Sequence, residues 1–344
     1  MLWLNEEDEN HLLNHCSIIN NDNDDNNHDV GYAIPKTLHF VWLGSDLPLH
    51  LELLIEKWSE IHHDWEIHIW GDDDVVSIEN EMMNSYVYHE KINNFGGKSD
   101  ILRYHLLYKY GGVYIDTDYE CLMRLDDSLY LKNKLCDESG EKWCKYNFFV
   151  GLACDDSNKI EINNGIIGST PAHPLIYYMN KSIQEHYCEI PVNRPAQQFL
   201  SLTTNLFDSF LPTQEIEKLQ TINNNAAAME TIRNTGPGLL TSCLSNYIKK
   251  ENVQNNNLCK NLGILPKKVF HAIPNNESVS LGTDKLSLNK RNQLKEKYVD
   301  VNTSIAVHWW QRTWQKVESF KQSSRVTIKT PPATADVANT EDVS

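Results

Sequence analysis

The chain has 344 residues and 40% hydrophobic content, enough to bury a sizeable core in one large or two small domains. Its formal net charge of −16 sets the surface against nucleic acid and anionic membranes as partners. An anionic ligand therefore needs local compensation, and a bound divalent cation supplies a large charge of that kind.

The first residues, Met1 to Glu9, lack the basic start and apolar run of a secretion signal. No later apolar stretch approaches the ~20 residues that cross a bilayer, so a soluble body with no transmembrane segment is expected. Residues 20–29 are polar and acidic, as in an unpacked linker. A calcium loop fails there on spacing: counting from Asp22, the sixth position is Asn27 instead of Gly and the twelfth is Ala33 instead of Glu.

Ile34 to Trp42 is a β-rich run closed by Gly44. Leu51, Leu54, Ile55, Trp58 and Ile61 then recur at helical spacing, and Trp65 to Trp70 alternates with period two. This β-α-β opening predicts an α/β fold, a mostly parallel central sheet flanked by helices, with ligands at the carboxyl ends of its strands. A helix is expected over 99–110, with Ser99 as N-cap and Gly111-Gly112 as its end, followed by a short strand at Val113 to Ile115. Beyond residue 170 helical pieces alternate with Asn-rich breaks at 223–225 and 255–257, whose topology the sequence leaves open. Past about residue 320 the composition is that of a disordered tail. The eight cysteines are scattered without a CxxC pair, which favours free thiols in a reducing cytoplasm over a disulfide framework or a zinc site.

The chemistry concentrates between residues 99 and 118. Asp100 and Arg103 lie three apart on the expected helix and share a face. Asp116 and Asp118 lie two apart at a strand end, so both point to one side. Two such carboxylates can hold a hard cation that keeps its other positions for water and diphosphate oxygens. Plainer readings exist: a surface ion pair for Asp100 and Arg103, and turn residues for Asp116 and Asp118. An Asp-Thr-Asp alone is a weak signal. It gains weight from the apolar strand before it and the helix that brings its own Asp and Arg.

The run from Gly97 to Asp118, with Ser-Asp-x-x-Arg followed by Gly-Gly-x-Tyr-x-Asp-x-Asp, resembles the DXD sugar-binding region of glycosyltransferase family 32, which includes the yeast initiating mannosyltransferase. It is also similar to the catalytic core of the clostridial glucosylating toxins and related bacterial effectors. Further segments match in order: Ile34 to Gly44 as the opening strand, Asn163 to Ser169 with His173-Pro174 as a downstream loop, Thr235 to Gly238 as a Gly-Pro turn, and Ala306 to Trp310 as the closing motif. The resemblance covers about residues 31–316 and implies a GT-A type nucleotide-sugar-binding fold there, with helical acceptor-side insertions roughly at 175–260. A polar segment, 1–30, precedes it and a tail, 317–344, follows.

The resemblance also implies roles. Trp42 stacks on the nucleotide base, Asp100 and Arg103 hold the sugar hydroxyls or the diphosphate, and Tyr114 lines the donor pocket. Asp118 is the direct metal ligand, and Asp116 contacts the metal or the ribose and sugar. His308 completes the metal or diphosphate contacts, Asn164 faces the transferred sugar, and Trp309 sits with the donor. The toxin branch closes its site with a Ser and Trp pair, so His308 sides with family 32. Plainer readings stay open for three of these: Trp42 as core, Asn164 as a turn residue and His308 as a packed histidine.

The implied activity is a retaining hexosyl transfer that depends on Mn2+ or Mg2+, with UDP-glucose as the first candidate donor and GDP-mannose as the other. The acceptor is a protein or a glycan. A bacterial effector secreted by a specialised system and acting on a host protein fits, and so does a cytoplasmic enzyme that extends a surface glycan. The alternatives are a nucleotide-sugar-binding module without turnover and a metal-dependent phosphohydrolase. The sequence gives no oligomeric state.

Overall fold

A computed structural model describes residues 33–127, 143–144, 146–154, 160–188, 228–254, 262–275, 277 and 288–311. The segment 1–30 with its linker, the Asn-rich breaks at 223–225 and 255–257, and the tail at 317–344 lie outside these residues.

The strands are β1 (Thr37–Val41), β2 (Glu66–Trp70), β3 (Gly112–Ile115), β4 (Tyr119–Cys121), β5 (Phe148–Cys154), β6 (Ile160–Ser169), β7 (Leu262–Leu265) and β8 (Ala306–His308). Six of them form one sheet in the order β2-β1-β3-β6-β5-β7, while β4 and β8 pair separately. Within the six, β1 pairs parallel with β2 and β3, β5 pairs parallel with β7, and β6 runs antiparallel to both β3 and β5. The mostly parallel sheet expected from the β-α-β opening is therefore present, with β6 as its reversed strand.

The helices are α1 (Leu49–Ile61), α2 (Asp72–Ile78), α3 (Ser85–Glu90), α4 (Phe95–Tyr110), α5 (Pro174–Cys188), α6 (Pro237–Gln254), α7 (Lys267–Phe270) and α8 (Leu288–Tyr298). Strand alternation divides the core in two. Leu38, Phe40, Val113 and Ile115 pack with Ile55 and Trp58 of α1, whereas Val41 and Tyr114 pack with Ile101, Leu102, Leu106 and Leu107 of α4 and with Leu175 and Met179 of α5. Burial on both faces is what a helix-covered parallel sheet requires, and each such side chain contributes about 1.5–3 kcal/mol.

The helix expected at 99–110 starts earlier, at Phe95, and Ser99 lies inside it. Asn94 is the N-cap instead, its side-chain oxygen accepting from the Gly97 amide at 2.7 Å. An Asn cap satisfies an otherwise orphaned amide, which offsets the poor helix propensity of Gly96 and Gly97. The end falls where expected: Gly111 and Gly112 have φ of 66° and 89°, backbone that a β-carbon disfavours. His39 on β1 fastens this junction. Its Nε2 bonds the Gly111 carbonyl at 2.9 Å, and its Nδ1 accepts from Trp70 Nε1 at 3.2 Å. Burial pushes its pKa down to about 4, so the neutral ring makes both bonds. Among the described residues Cys121, Cys144 and Cys243 are buried and in no disulfide, and no helix is long and apolar enough to cross a membrane.

Candidate active site

β3 ends at Ile115, and the chain turns through Asp116, Thr117 and Asp118 into β4. The Asp116 amide donates to the Gly165 carbonyl at 2.8 Å, which fixes the turn against β6. The register of β4 with β8 then sets Tyr119 opposite His308, so a histidine far along the chain arrives beside the Asp-Thr-Asp turn. Its Nε2 is 3.2 Å from Asp118 Oδ1, and one ligand atom from each of Asp116, Asp118 and His308 lies within 4.8 Å of the others.

The electrostatics of the three differ. Burial and the neighbouring Asp118 charge raise the Asp116 pKa against the opposing pull of Arg103. Burial also penalises ionised Asp118, but His308 and the Gln311 amide, which donates to Asp118 Oδ2 at 2.7 Å, outweigh it and hold Asp118 below its ordinary value. Two carboxylates and an imidazole oxygen- and nitrogen-rich enough for a hard divalent ion, with a like-charge repulsion that a cation relieves, fit such an ion.

Behind them is a second, buried group. Arg103 Nη2 bridges Asp100 Oδ1 at 3.1 Å and Asp116 Oδ1 at 3.0 Å, Nη1 donates to the Asn164 carbonyl, and the guanidinium lies 4.2 Å from the Tyr114 ring centroid. The Tyr114 hydroxyl donates to the same Asp116 oxygen at 2.8 Å. Asp100 Oδ1 accepts from Asn164 Nδ2 at 2.9 Å, and Oδ2 accepts from the Thr235 hydroxyl at 2.8 Å. The surface ion pair considered for Asp100 and Arg103 does not apply, because both side chains are buried.

The residues singled out in the sequence divide accordingly. Asp100, Arg103, Tyr114, Asp116, Asp118 and His308 come together. Asn164 is also there, its side-chain Nδ2 donating to Asp100 Oδ1 and to Tyr104 Oη at 3.4 Å. Trp42 is half-buried just past β1, its Nε1 shared between Ser45 Oγ and the Asp46 carbonyl. Trp309 is a correction. It is fully buried among Leu51, Leu54, Ile273 and Leu294, with Nε1 donating to Glu120 Oε2 at 3.3 Å, because strand alternation past β8 turns it to the core. Trp310 takes the place beside His308, with ring centroids 4.0 Å apart. Sequence reasoning also missed Tyr119, whose ring stacks on His308 at 4.2 Å, and His271, which bonds the Tyr119 hydroxyl. Only the β4–β8 register makes these visible.

Residues 48–138 match the glycosyltransferase sugar-binding region containing DXD motif, and residues 224–330 match the alpha 1,4-glycosyltransferase conserved region. The chain is 26% identical over 158 residues to inositol phosphoceramide mannosyltransferase 2 of Schizosaccharomyces pombe, a match covering 45% of this chain and 39% of that protein. It is 22% identical over 231 residues to subversion of eukaryotic traffic protein A of Legionella pneumophila, covering 60% of this chain and 31% of that one. The chain thus spans about two fifths of the length of the first curated relatives it matches. Among solved structures, the PaToxG glycosyltransferase aligns with a TM-score of 0.38 at 14% identity, over 79% of this chain and 87% of that one. The resemblance read from Gly97 to Asp118 is borne out by the match of residues 48–138 to the glycosyltransferase sugar-binding region containing DXD motif.

Proposed function

We propose that this protein is a retaining, divalent-metal-dependent glycosyltransferase with a GT-A type domain, moving a hexose from a nucleotide sugar to a protein or glycan acceptor. The observation that carries the reading is the convergence of Asp116, Asp118 and His308 beyond the carboxyl end of β3, where open α/β sheets bind ligands. These three residues would hold Mn2+ or Mg2+. When bound, the ion supplies charge neutralisation for a departing diphosphate.

The chain's own groups do the rest. Arg103 keeps Asp116 compensated and oriented, and Tyr114 fixes the same carboxylate oxygen. Asp100, saturated by Asn164, Thr235 and Arg103, holds the guanidinium in place. Trp42, anchored at its indole nitrogen, offers a ring face to a nucleotide base. Attack on the face the leaving group vacates, assisted by the donor's own phosphate, is the retaining route consistent with this reading, and an isolated glycosyl-enzyme adduct would overturn it.

The hexose has two candidates. The toxin-like run around Asp100 favours UDP-glucose, whereas the yeast relatives' names favour a mannosyl donor. A role as an effector acting on a host protein draws on the Legionella relative. The deciding experiment measures nucleotide release from UDP-glucose, GDP-mannose and other nucleotide sugars with Mn2+ or Mg2+, for the wild type and for Asp116→Ala/Asp118→Ala. Metal-dependent turnover of one donor, lost in the double variant, is the expected result. Nucleotide binding with no turnover of any donor, even with candidate acceptors added, would return the chain to a binding module.

A further inference from the structure

We propose that Tyr119 and His271 are positioning residues that fix the His308 imidazole as a cation ligand, an inference that rests on the cation reading above. A metal-bound histidine ordinarily donates its second ring N–H to a carboxylate, carbonyl or water, which sets the ring's orientation. The Nδ1 of His308 is buried with no such partner among the described residues. Orientation therefore falls on the rings around it. Tyr119 lies nearly parallel to the imidazole, with centroids 4.2 Å apart and an interplanar angle of 8°, and Trp310 approaches to 4.0 Å.

Both rings are themselves tied down. The Tyr119 hydroxyl and His271 Nε2 share a hydrogen bond of 2.6 Å, and the His271 backbone bridges to Val307, the residue before His308. The Tyr119 carbonyl accepts from Trp58 Nε1 at 3.0 Å. Trp310 donates from Nε1 to the Ile273 carbonyl at 3.1 Å and sits at φ 53°, a left-handed backbone that a tryptophan adopts only where its surroundings over-determine it. With the plane of His308 set in this way, Nε2 is aimed at Asp118 and the space beside Asp116. None of these groups needs to touch a donor or acceptor.

The test titrates Mn2+ into the protein in the presence of UDP, reading free Mn2+ by electron paramagnetic resonance and the bound ion's coupling to imidazole nitrogen by electron spin-echo modulation. Wild type, Tyr119→Leu, Tyr119→Phe, His271→Leu and Asp118→Ala are compared, with urea midpoints to show folding. Tyr119→Leu is expected to weaken Mn2+ binding by roughly 10–100-fold and to lose the nitrogen coupling. Tyr119→Phe and His271→Leu, which cut the same link from either end, weaken binding by similar, smaller factors. Wild-type affinity and nitrogen coupling in folded Tyr119→Leu, or in Tyr119→Phe and His271→Leu should Tyr119→Leu not fold, overturns the positioning role. In that case loss of binding in Asp118→Ala still upholds the cation site. Absence of Mn2+ binding by the wild type overturns the cation reading itself, and this inference with it.

Discussion

Arg103 on α4 and Asp116 beyond β3 are joined through a single pair of atoms, Nη2 and Oδ1, 3.0 Å apart, and the same nitrogen also reaches Asp100. One buried cation thus serves a buried carboxylate on α4 and a part-exposed one beyond β3. Removing it leaves both uncompensated, so Arg103→Ala is expected to cost about 3–5 kcal/mol of stability. Arg103→Lys keeps the charge but loses the planar fork that reaches the Asn164 carbonyl as well, and restores only part. Urea unfolding of the two variants checks this, and equal stability of Arg103→Ala and wild type would contradict the coupling of Arg103 to the two carboxylates.

The pKa of Asp100 is raised by burial to about 6, against the pull of Arg103 and of its hydrogen bonds. For an acid with a raised folded pKa, the folded state holds the proton more tightly. The stability this carboxyl contributes is therefore full below about pH 4 and is lost as pH rises through about 6. Asp100→Asn has no such titration. Between pH 4 and 7 the stability of wild type relative to Asp100→Asn should fall, by on the order of 3 kcal/mol for a shift of this size. Parallel pH profiles of the two proteins would contradict it.

Gly165 faces the acidic turn so closely that an added β-carbon would meet Tyr119 Oη at 2.6 Å, Asn163 Oδ1 at 2.8 Å and Asp116 Oδ2 at 2.9 Å. Gly165→Ala must push at least one of them aside. The expected overpacking cost is about 1–3 kcal/mol. Because Asp116 and Tyr119 are among the groups crowded, Mn2+ affinity should fall as well, while Gly263→Ala on β7, which crowds Tyr146, should cost stability alone.

Two tryptophans separate binding from packing. Trp309→Ala empties a fully buried site and is expected to cost about 3–5 kcal/mol. Trp42→Ala removes a half-buried ring and should cost less stability, but should weaken nucleotide binding several-fold through lost stacking. Calorimetric titration of UDP and GDP alongside thermal unfolding separates the two, and unchanged nucleotide affinity in Trp42→Ala would make it a packing residue.

What the sequence determined by itself was local. Helical spacing at Leu51 to Trp58, the period of two ahead of Trp70, and the paired glycines at 111 and 112 are written in consecutive residues, so their elements appear where periodicity and turn chemistry put them. Asp100 with Arg103 was legible for the same reason, since a three-residue spacing on a helix puts both on one face, whereas Asp116 and Asp118 come together through the turn between β3 and β4. The start of α4 was not, because the Asn94 cap outweighs two glycines by a hydrogen bond that no propensity records. Tertiary structure alone decided the rest. The pairing of β4 with β8 chose His308 and Trp310 over Trp309 for the acidic turn and brought Tyr119 and His271 to them, while β6 brought Asn164, and the turn ahead of α6 brought Thr235, onto Asp100. Strand register is a contact between residues far apart in the chain, and a shift of one position would exchange every inward side chain for an outward one.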